Sequence, residues 1–214
     1  MSLDRFRPFL AAALFVTAGA HAATTLVSEG FENVRTLADH GWVLTNLAPD
    51  PTLNIGWFQG DTVTFFPAHS GDSFIASNFS AALPGTTLDN WLITPEFSTA
   101  ASGTVTFWLR GAADEGFTDT VRFGFSDGSD ATADFTVGTL VTATGDWTQY
   151  SATFAGADAG STARFAIEYT GAADLADYIG IDDVSITAVP EPASLLMFWA
   201  GLLGLAAARR HAGR

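Results

Sequence analysis

The 214-residue chain has no cysteine and no lysine. Without cysteine no disulfide can staple the fold, and a zinc site of the thiolate type is excluded. Without lysine the chain cannot build the clustered cationic surface that phosphate binding needs. Between Ala23 and Pro192 only Arg35, Arg110, Arg122 and Arg164 are basic, against 22 acidic residues, so this stretch carries −18. Nucleic acid and anionic lipid headgroups are therefore excluded as partners. Histidine is nearly as scarce: the same stretch holds only His40 and His69, with no His-x-x-x-His spacing. A P-loop and an Asp-x-Asp-x-Asp-Gly calcium loop are both missing.

Long apolar runs occur only at the two ends. The first runs from Phe9 to Ala20 behind Arg5 and Arg7 and is followed by Ala20-His21-Ala22. A basic start, a short apolar stretch and an A-x-A site are the layout of a secretory signal peptide. Signal peptidase is expected to cut after Ala22 and leave Ala23 as the new N-terminus. The second run, residues 193–208, follows Val189-Pro190-Glu191-Pro192 and ends on Arg209 and Arg210. As a helix it would span roughly 24 Å, a little short of the ~30 Å hydrocarbon core. Snorkelling by the two arginines would close that gap and hold them on the cytoplasmic side. The run has no polar face, which argues against a buried core helix.

What lies between, residues 23–188, is rich in Thr, Val, Ile, Phe, Trp and Gly, the residues of strands and turns. Thr104–Arg110, Thr120–Phe125, Trp147–Phe154, Ala163–Tyr169 and Tyr178–Ile186 each alternate with period two. That period gives one buried and one wet face. Asp127-Gly128 and Gly145-Asp146 mark turns. No stretch of this region has a helical period. The expected architecture is all-β, an antiparallel β-sandwich of jelly-roll type, flanked by an N-terminal signal helix and a C-terminal transmembrane helix. Residues 1–22 form the signal peptide, 23–188 one sandwich domain, and 189–214 a sorting segment of motif (189–192), transmembrane helix (193–208) and basic tail (209–214). Leu26–Glu32 is expected as the first strand, paired near the last. Residues 48–69, with Pro49, Pro51, Gly56, Gly60 and Pro67, read as a long loop with a short strand. Trp42, Trp57, Trp91, Trp108 and Trp147 are expected to fill the core.

Val189-Pro190-Glu191-Pro192, an apolar helix and a terminal arginine cluster resemble the PEP-CTERM sorting signal. That resemblance implies cleavage by an exosortase near Pro-Glu-Pro, a Gram-negative-type envelope, and an exopolysaccharide or biofilm context. Four internal segments carry a second resemblance. They are Phe31-Glu32 with Gly41-Trp42; Gly56-Trp57-Phe58-Gln59-Gly60 with Ser77-Asn78-Phe79; Asp89-Asn90-Trp91-Leu92-Ile93-Thr94-Pro95; and Tyr178-Ile179-Gly180-Ile181-Asp182-Asp183-Val184. Together they are similar to the choice-of-anchor J domain, a relative of cleaved-adhesin and MAM-type jelly rolls. This implies surface display and adhesion-like binding, and no reaction.

The same resemblance implies a structural Ca2+ where an acidic residue of the first strand meets an aspartate of the last. Glu29 or Glu32 with Asp182 are the candidate ligands, and Asp72 and Asp89 could complete a shell from neighbouring loops. Calcium takes six to eight oxygens, which such residues supply. By strict alternation Asp182 points away from the core face of Ile181, and Asp183 shares that face, where an unpaired carboxylate is costly; an ion or a hydrogen-bond network at this acidic pair would remove the cost, which makes Asp183 a sixth candidate ligand. Asp114, Glu115 and Asp119 crowd three carboxylates, the raw material of a glycosidase, but their Gly-rich setting reads as a solvated loop. Trp57 and Phe58, with Phe65 and Phe66, could offer rings to sugar faces. The leading functional expectation is a non-enzymatic, exosortase-processed surface or matrix protein. A carbohydrate-binding module for exopolysaccharide is the alternative, and a glycoside hydrolase is a distant third.

Overall fold

Apolar residues at every second position decide the architecture, and one strand shows how. In the segment Gly103–Gly111, Val105, Phe107 and Leu109 are fully buried, while Thr104, Thr106, Trp108 and Arg110 between them are half-buried. Such a ribbon is stable only with its apolar face against another sheet. The computed structural model describes residues 22–48, 56–112, 114–189, 201 and 209, and residues 22–190 make up one compact unit. Apart from Ala22 and Gly201, the signal segment (1–22) and the apolar tail segment (193–208) lie outside the described residues. Among the described residues no helix is long and apolar enough to cross a membrane.

Thirteen strands follow one another in the described chain. They are β1 (Thr24–Glu29), β2 (Val43–Asn46), β3 (Phe58–Gln59), β4 (Ile75–Asn78), β5 (Thr87–Ile93), β6 (Phe97–Ser98), β7 (Gly103–Gly111), β8 (Thr120–Ser126), β9 (Thr136–Val137), β10 (Val141–Thr142), β11 (Thr148–Phe154), β12 (Thr162–Ala172) and β13 (Tyr178–Ala188). One antiparallel sheet runs β11-β7-β13-β4-β3, with β1 added alongside the second half of β13. The other runs β10-β8-β12-β5-β2, with β6 on β12 and β9 on β8. The first strand does pair with the last, as expected. It ends at Glu29, because Phe31 adopts a left-handed backbone (φ 55°) that breaks the extended run.

The two sheets close on a core that includes Phe107, Leu109, Ile179 and Ile181 from one side and Leu88, Leu92, Phe165, Ile167 and Tyr169 from the other. Each such side chain contributes about 1.5–3 kcal/mol by leaving water. Aromatic edges lock the layers: Phe107 meets Phe123 edge-on at 5.1 Å between centroids, and Phe31 meets Trp42 at 5.3 Å.

Each sheet also carries an aromatic cap on its outer face. On the second sheet Phe135, from the loop after β8, lies 5.7 Å from Trp91. On the first, residues 60–73 form a strap. Its Phe66 packs with Phe74, Tyr178 and Trp147, Arg110 lies 4.5 Å over the Phe66 ring, and His69 stacks on Trp108 at 3.8 Å. The tryptophans therefore divide. Trp42 and Trp57 enter the core between the sheets, Trp91 is buried on an outer face, and Trp108 and Trp147 are half-buried beneath the strap.

β13 holds one irregularity that sets the geometry of the molecule. Its register on β7 passes from Asp182 opposite Trp108 to Ser185 opposite Thr106, so β13 spends one extra residue. This is a β-bulge, with Asp183 in the left-handed region (φ 47°). The bulge corrects the alternation argument. Ile181 and Val184 both face the core, and Asp183 is turned outward to a partly exposed position.

The strap can sit down on β13 only because residue 180 is glycine. A Cβ there would stand 2.7 Å from the Phe74 ring and 2.9 Å from that of Phe66. Gly180→Ala is expected to lose on the order of 1–3 kcal/mol, the usual cost of overpacking, as a lower urea midpoint with an unchanged slope. An unaltered midpoint would mean that the cap is loosely packed.

Candidate functional site

The bulge draws three distant segments together. The Asp182 side chain is fully buried. Its Oδ2 accepts the backbone N–H of His69 (2.9 Å) and of Ser70 (3.2 Å), and its Oδ1 accepts that of Asp183 (2.8 Å). Burial, which outweighs these donors, pushes the Asp182 carboxyl up to about 6. Asp183 faces the same strap: its Oδ2 lies 2.6 Å from His69 Nδ1, and its Oδ1 accepts the Ser70 hydroxyl at 2.8 Å. From the first segment, Glu32 accepts the Asp72 N–H through both oxygens, and Glu29 Oε1 accepts that of Phe31 at 2.8 Å. Gln59 completes the corner by donating to Phe31 O and accepting from Val34 N.

Five of the six expected calcium ligands thus serve the segments that meet at this corner. Asp89 is elsewhere, on β5 of the other sheet, where it accepts Trp91 Nε1–H at 2.5 Å. The candidate side chains at the corner offer carboxylate oxygens, the chemistry calcium takes, beside one nitrogen, His69 Nδ1, held against Asp183. Among the described residues, however, no three acidic or histidine side chains converge on one point. An ion here would have to draw part of its shell from backbone carbonyls and water.

The aromatic candidates also separate. Trp57 is only 8% exposed, so it offers no open face to a ligand. Phe58 is half-buried and tilted against Tyr178, 6.1 Å between centroids. The open ring of that region is Phe65, 45% exposed and stacked on Tyr178 at 3.7 Å. Of the terminal candidates, Ala22 and Ala23 are exposed, as are Val189 and Arg209. Ala20, Pro190, Glu191, Pro192 and Arg210 lie outside the described residues.

The end of the sandwich where β13 begins carries a feature that no single stretch of sequence announces. The turns after β4 and β12 and the loop before β8 enclose a hollow of about 450 Å³. Its walls are Phe79, Ala82, Pro84, Phe117, Ala173 and Ala176, and Ser80, Asp174 and Asp177 complete its lining. Backbone bonds hold the frame: Phe79 N donates to Asp177 O (2.9 Å), and Thr118 N donates to Leu175 O (2.6 Å).

Beside it, the suspected carboxylate trio comes apart. Asp119 is buried and accepts both the Tyr169 hydroxyl (2.5 Å) and the Asp177 N–H (2.8 Å), so it props the end of the fold. Burial and the Asp119 charge push the Tyr169 hydroxyl strongly upward. Asp114 and Glu115 stand exposed in the loop. Asp177 Oδ2 is buried and receives no hydrogen bond among the described residues. Its burial and the neighbouring Asp114 push this carboxyl up to about 6.

Comparison with known proteins agrees with this architecture. Residues 188–210 match the PEP-CTERM protein-sorting motif, which implies export and a cell-surface or extracellular location. No curated protein matches the chain. Among solved structures, the chain is similar to the K1 cleaved adhesin domain of Lys-gingipain from Porphyromonas gingivalis W83. The identity is 24% and the TM-score 0.59, over 77% of this chain and 98% of that one. The K3 cleaved adhesin domain of the same protein gives 20% and 0.60, over 78% and 99%. The CBM22-1 xylan-binding domain of Paenibacillus barcinonensis Xyn10C gives 16% and 0.46, over 80% and 99%. The adhesin domains share the fold, an all-β two-sheet sandwich.

The raised Asp177 carboxyl gives a pH signature. Protonation is easier in the folded state than in the unfolded chain, so this group favours folding below about pH 4 and loses that contribution as pH rises through 6. Asp177→Asn should melt above wild type at pH 7.5, with the difference closing by pH 4. Parallel melting curves over that range would show that Asp177 titrates normally.

Proposed function

We propose that this chain is an exported surface module of the choice-of-anchor J kind, sorted by its tail and acting by binding rather than by catalysis. Its C-terminal segment would hold it transiently at the inner membrane, with the domain outside, until an exosortase cuts near Pro190-Glu191-Pro192. It would then take its place at the cell surface or in the extracellular matrix.

The observation that carries this reading is the sorting-motif match beginning at Ala188, the last residue of β13. The chain passes from domain to sorting signal without a further module between them. The adhesin-like sandwich supports a binding role. So does the state of the carboxylates: Asp119, Asp182 and Glu168 are buried in hydrogen bonds that build the fold, Glu168 in a two-pronged pair with Arg122.

The exopolysaccharide of the producing cell is a second candidate partner. One feature favours it: a hollow of about 480 Å³ whose lining mixes Asp89, Arg122, Glu168 and the hydroxyl-bearing Thr86, Thr87 and Thr170 with Leu47 and Leu88. Planar charged groups beside hydroxyls suit the edge of a sugar.

The corner at the bulge would be the place for a structural calcium, with Glu29 or Glu32, Asp182 and Asp183 as its carboxylates. Bound there, the ion would offset repulsion among them and fasten strap to sandwich.

Two measurements test these readings. Pro190→Ala with Glu191→Ala should leave a full-length, membrane-retained protein. Mass spectrometry finding the same mature C-terminus in variant and wild type would reject sorting through this motif. Chelation should lower the melting temperature by several degrees, and millimolar calcium should restore it. Identical melting with and without calcium would remove the ion.

A further inference from the structure

The hollow at the start of β13 combines three properties that are rarely found together on a soluble surface. Its wall is almost wholly apolar, and two flanking rings stay open to water: Phe79 is 51% and Phe117 48% exposed. Leu175, on the same turn as Asp174, is 55% exposed. An apolar patch of this kind, grouped and concave, marks an interaction site more often than a scattered exposed residue does. The charges nearby are all negative. Asp174 and Asp177 line the hollow, and Asp114 and Glu115 stand in the loop that carries Phe117. One carboxylate oxygen, Asp177 Oδ2, is buried without a donor among the described residues. A buried acceptor left unpaired costs roughly 1–3 kcal/mol, which a ligand donor could recover.

We propose that this hollow is a docking site for a basic side chain with a long apolar stem, a lysine or arginine presented among apolar neighbours by a partner protein. The stem lies between Phe79, Phe117 and the alanine and proline wall. The cation meets Asp174 and Asp177. Asp174 keeps one oxygen for this, because among the described residues only its Oδ2 is engaged, by Gly85 N at 2.9 Å.

The wall chemistry favours this occupant over an amino sugar. A sugar ring carries hydroxyls around its whole edge and needs polar partners on several sides, whereas apart from Asp174 and Asp177 the lining offers one polar side chain, that of Ser80. The domain does not supply the cation itself. It has no lysine, and three of its four arginines are in use: Arg110 over Phe66, Arg122 on Glu168, and Arg164 on the carbonyls of Gly128 and Thr94, while Arg35 stands in the turn after β1, beside the Val34–Gln59 bond of the bulge corner. The frame is tied by backbone hydrogen bonds, so it is formed before the ligand arrives, which limits the ordering cost of binding.

This inference rests on the domain being a binding module, but not on how it is sorted. The test is fluorescence anisotropy with the full chain in mild detergent and a labelled acetyl-Leu-Lys-Leu-Lys-Leu amide. Norleucine in place of both lysines should weaken binding at least tenfold. Asp174→Asn with Asp177→Asn should do the same, and so should Phe117→Ser. Asp127→Asn with Asp130→Asn removes the same charge elsewhere and should change binding less than twofold. Equal weakening by the two charge-removing pairs would reduce the effect to general attraction and overturn the proposal. So would an absence of binding at millimolar peptide, or capture of chitosan oligomers in preference to the peptide. A chain that is exported and trimmed normally, yet binds no peptide, refutes the docking site and leaves the sorting reading standing.

Discussion

The structure depends on one buried carboxylate. Asp182 lies at a bulge in the strand that borders β1, β4 and β7, and it accepts three backbone N–H groups, two of them from the strap. A carboxylate out of water is costly unless its oxygens are filled by donors. Only the folded arrangement of strap and bulge supplies those donors, so the strap cannot wander without stranding the charge. Fixing the strap in turn fixes His69 on Trp108 and Phe66 beneath Arg110, which closes the outer face of the first sheet. Glu32 ties the segment after β1 to the same strap through Asp72. Asp182 thereby couples the irregular segment to the last strand, and Glu32 adds the first segment.

Most of the sandwich was legible because burial on one face writes a period of two into the sequence. Thr104–Arg110 and Ala163–Tyr169 read as strands and are strands, within β7 and β12. The same rule failed at Asp183 for a physical reason. One inserted residue resets the alternation, and counting along Ile181-Asp182-Asp183-Val184 gives no sign of where the partner strand skips. The rule also could not divide the tryptophans. Trp108 and Trp147 are apolar for the sake of an outer face covered by a strap, which looks the same in sequence as a core position.

The candidate site was less legible than the fold. Glu32, Asp72, Asp182 and Asp183 were marked from sequence, and the fold brings them to one corner, but tied into hydrogen bonds: Asp182 accepts the His69 N–H, Asp183 accepts the Ser70 hydroxyl, and Asp72 donates its own N–H to Glu32. Asp89 was marked with them because sequence distance says nothing about which sheet a strand joins. The hollow was not foreseen. Phe79, Phe117 and Asp177 are about 40 and 60 residues apart along the chain, and only the topology makes neighbours of their loops. Asp119 was counted among loop carboxylates; its burial against Tyr169 needed the position of β12.

β13 also has a direction. It begins next to Asp177, at the rim of the hollow, and ends at Ala188, where the sorting segment takes over; its eleven residues measure roughly 36 Å. β1 starts opposite Ala188, so chain entry and chain exit share one pole of the domain. The open rings and acidic rim thus lie at the opposite end of β13 from the point where the chain enters and leaves the domain.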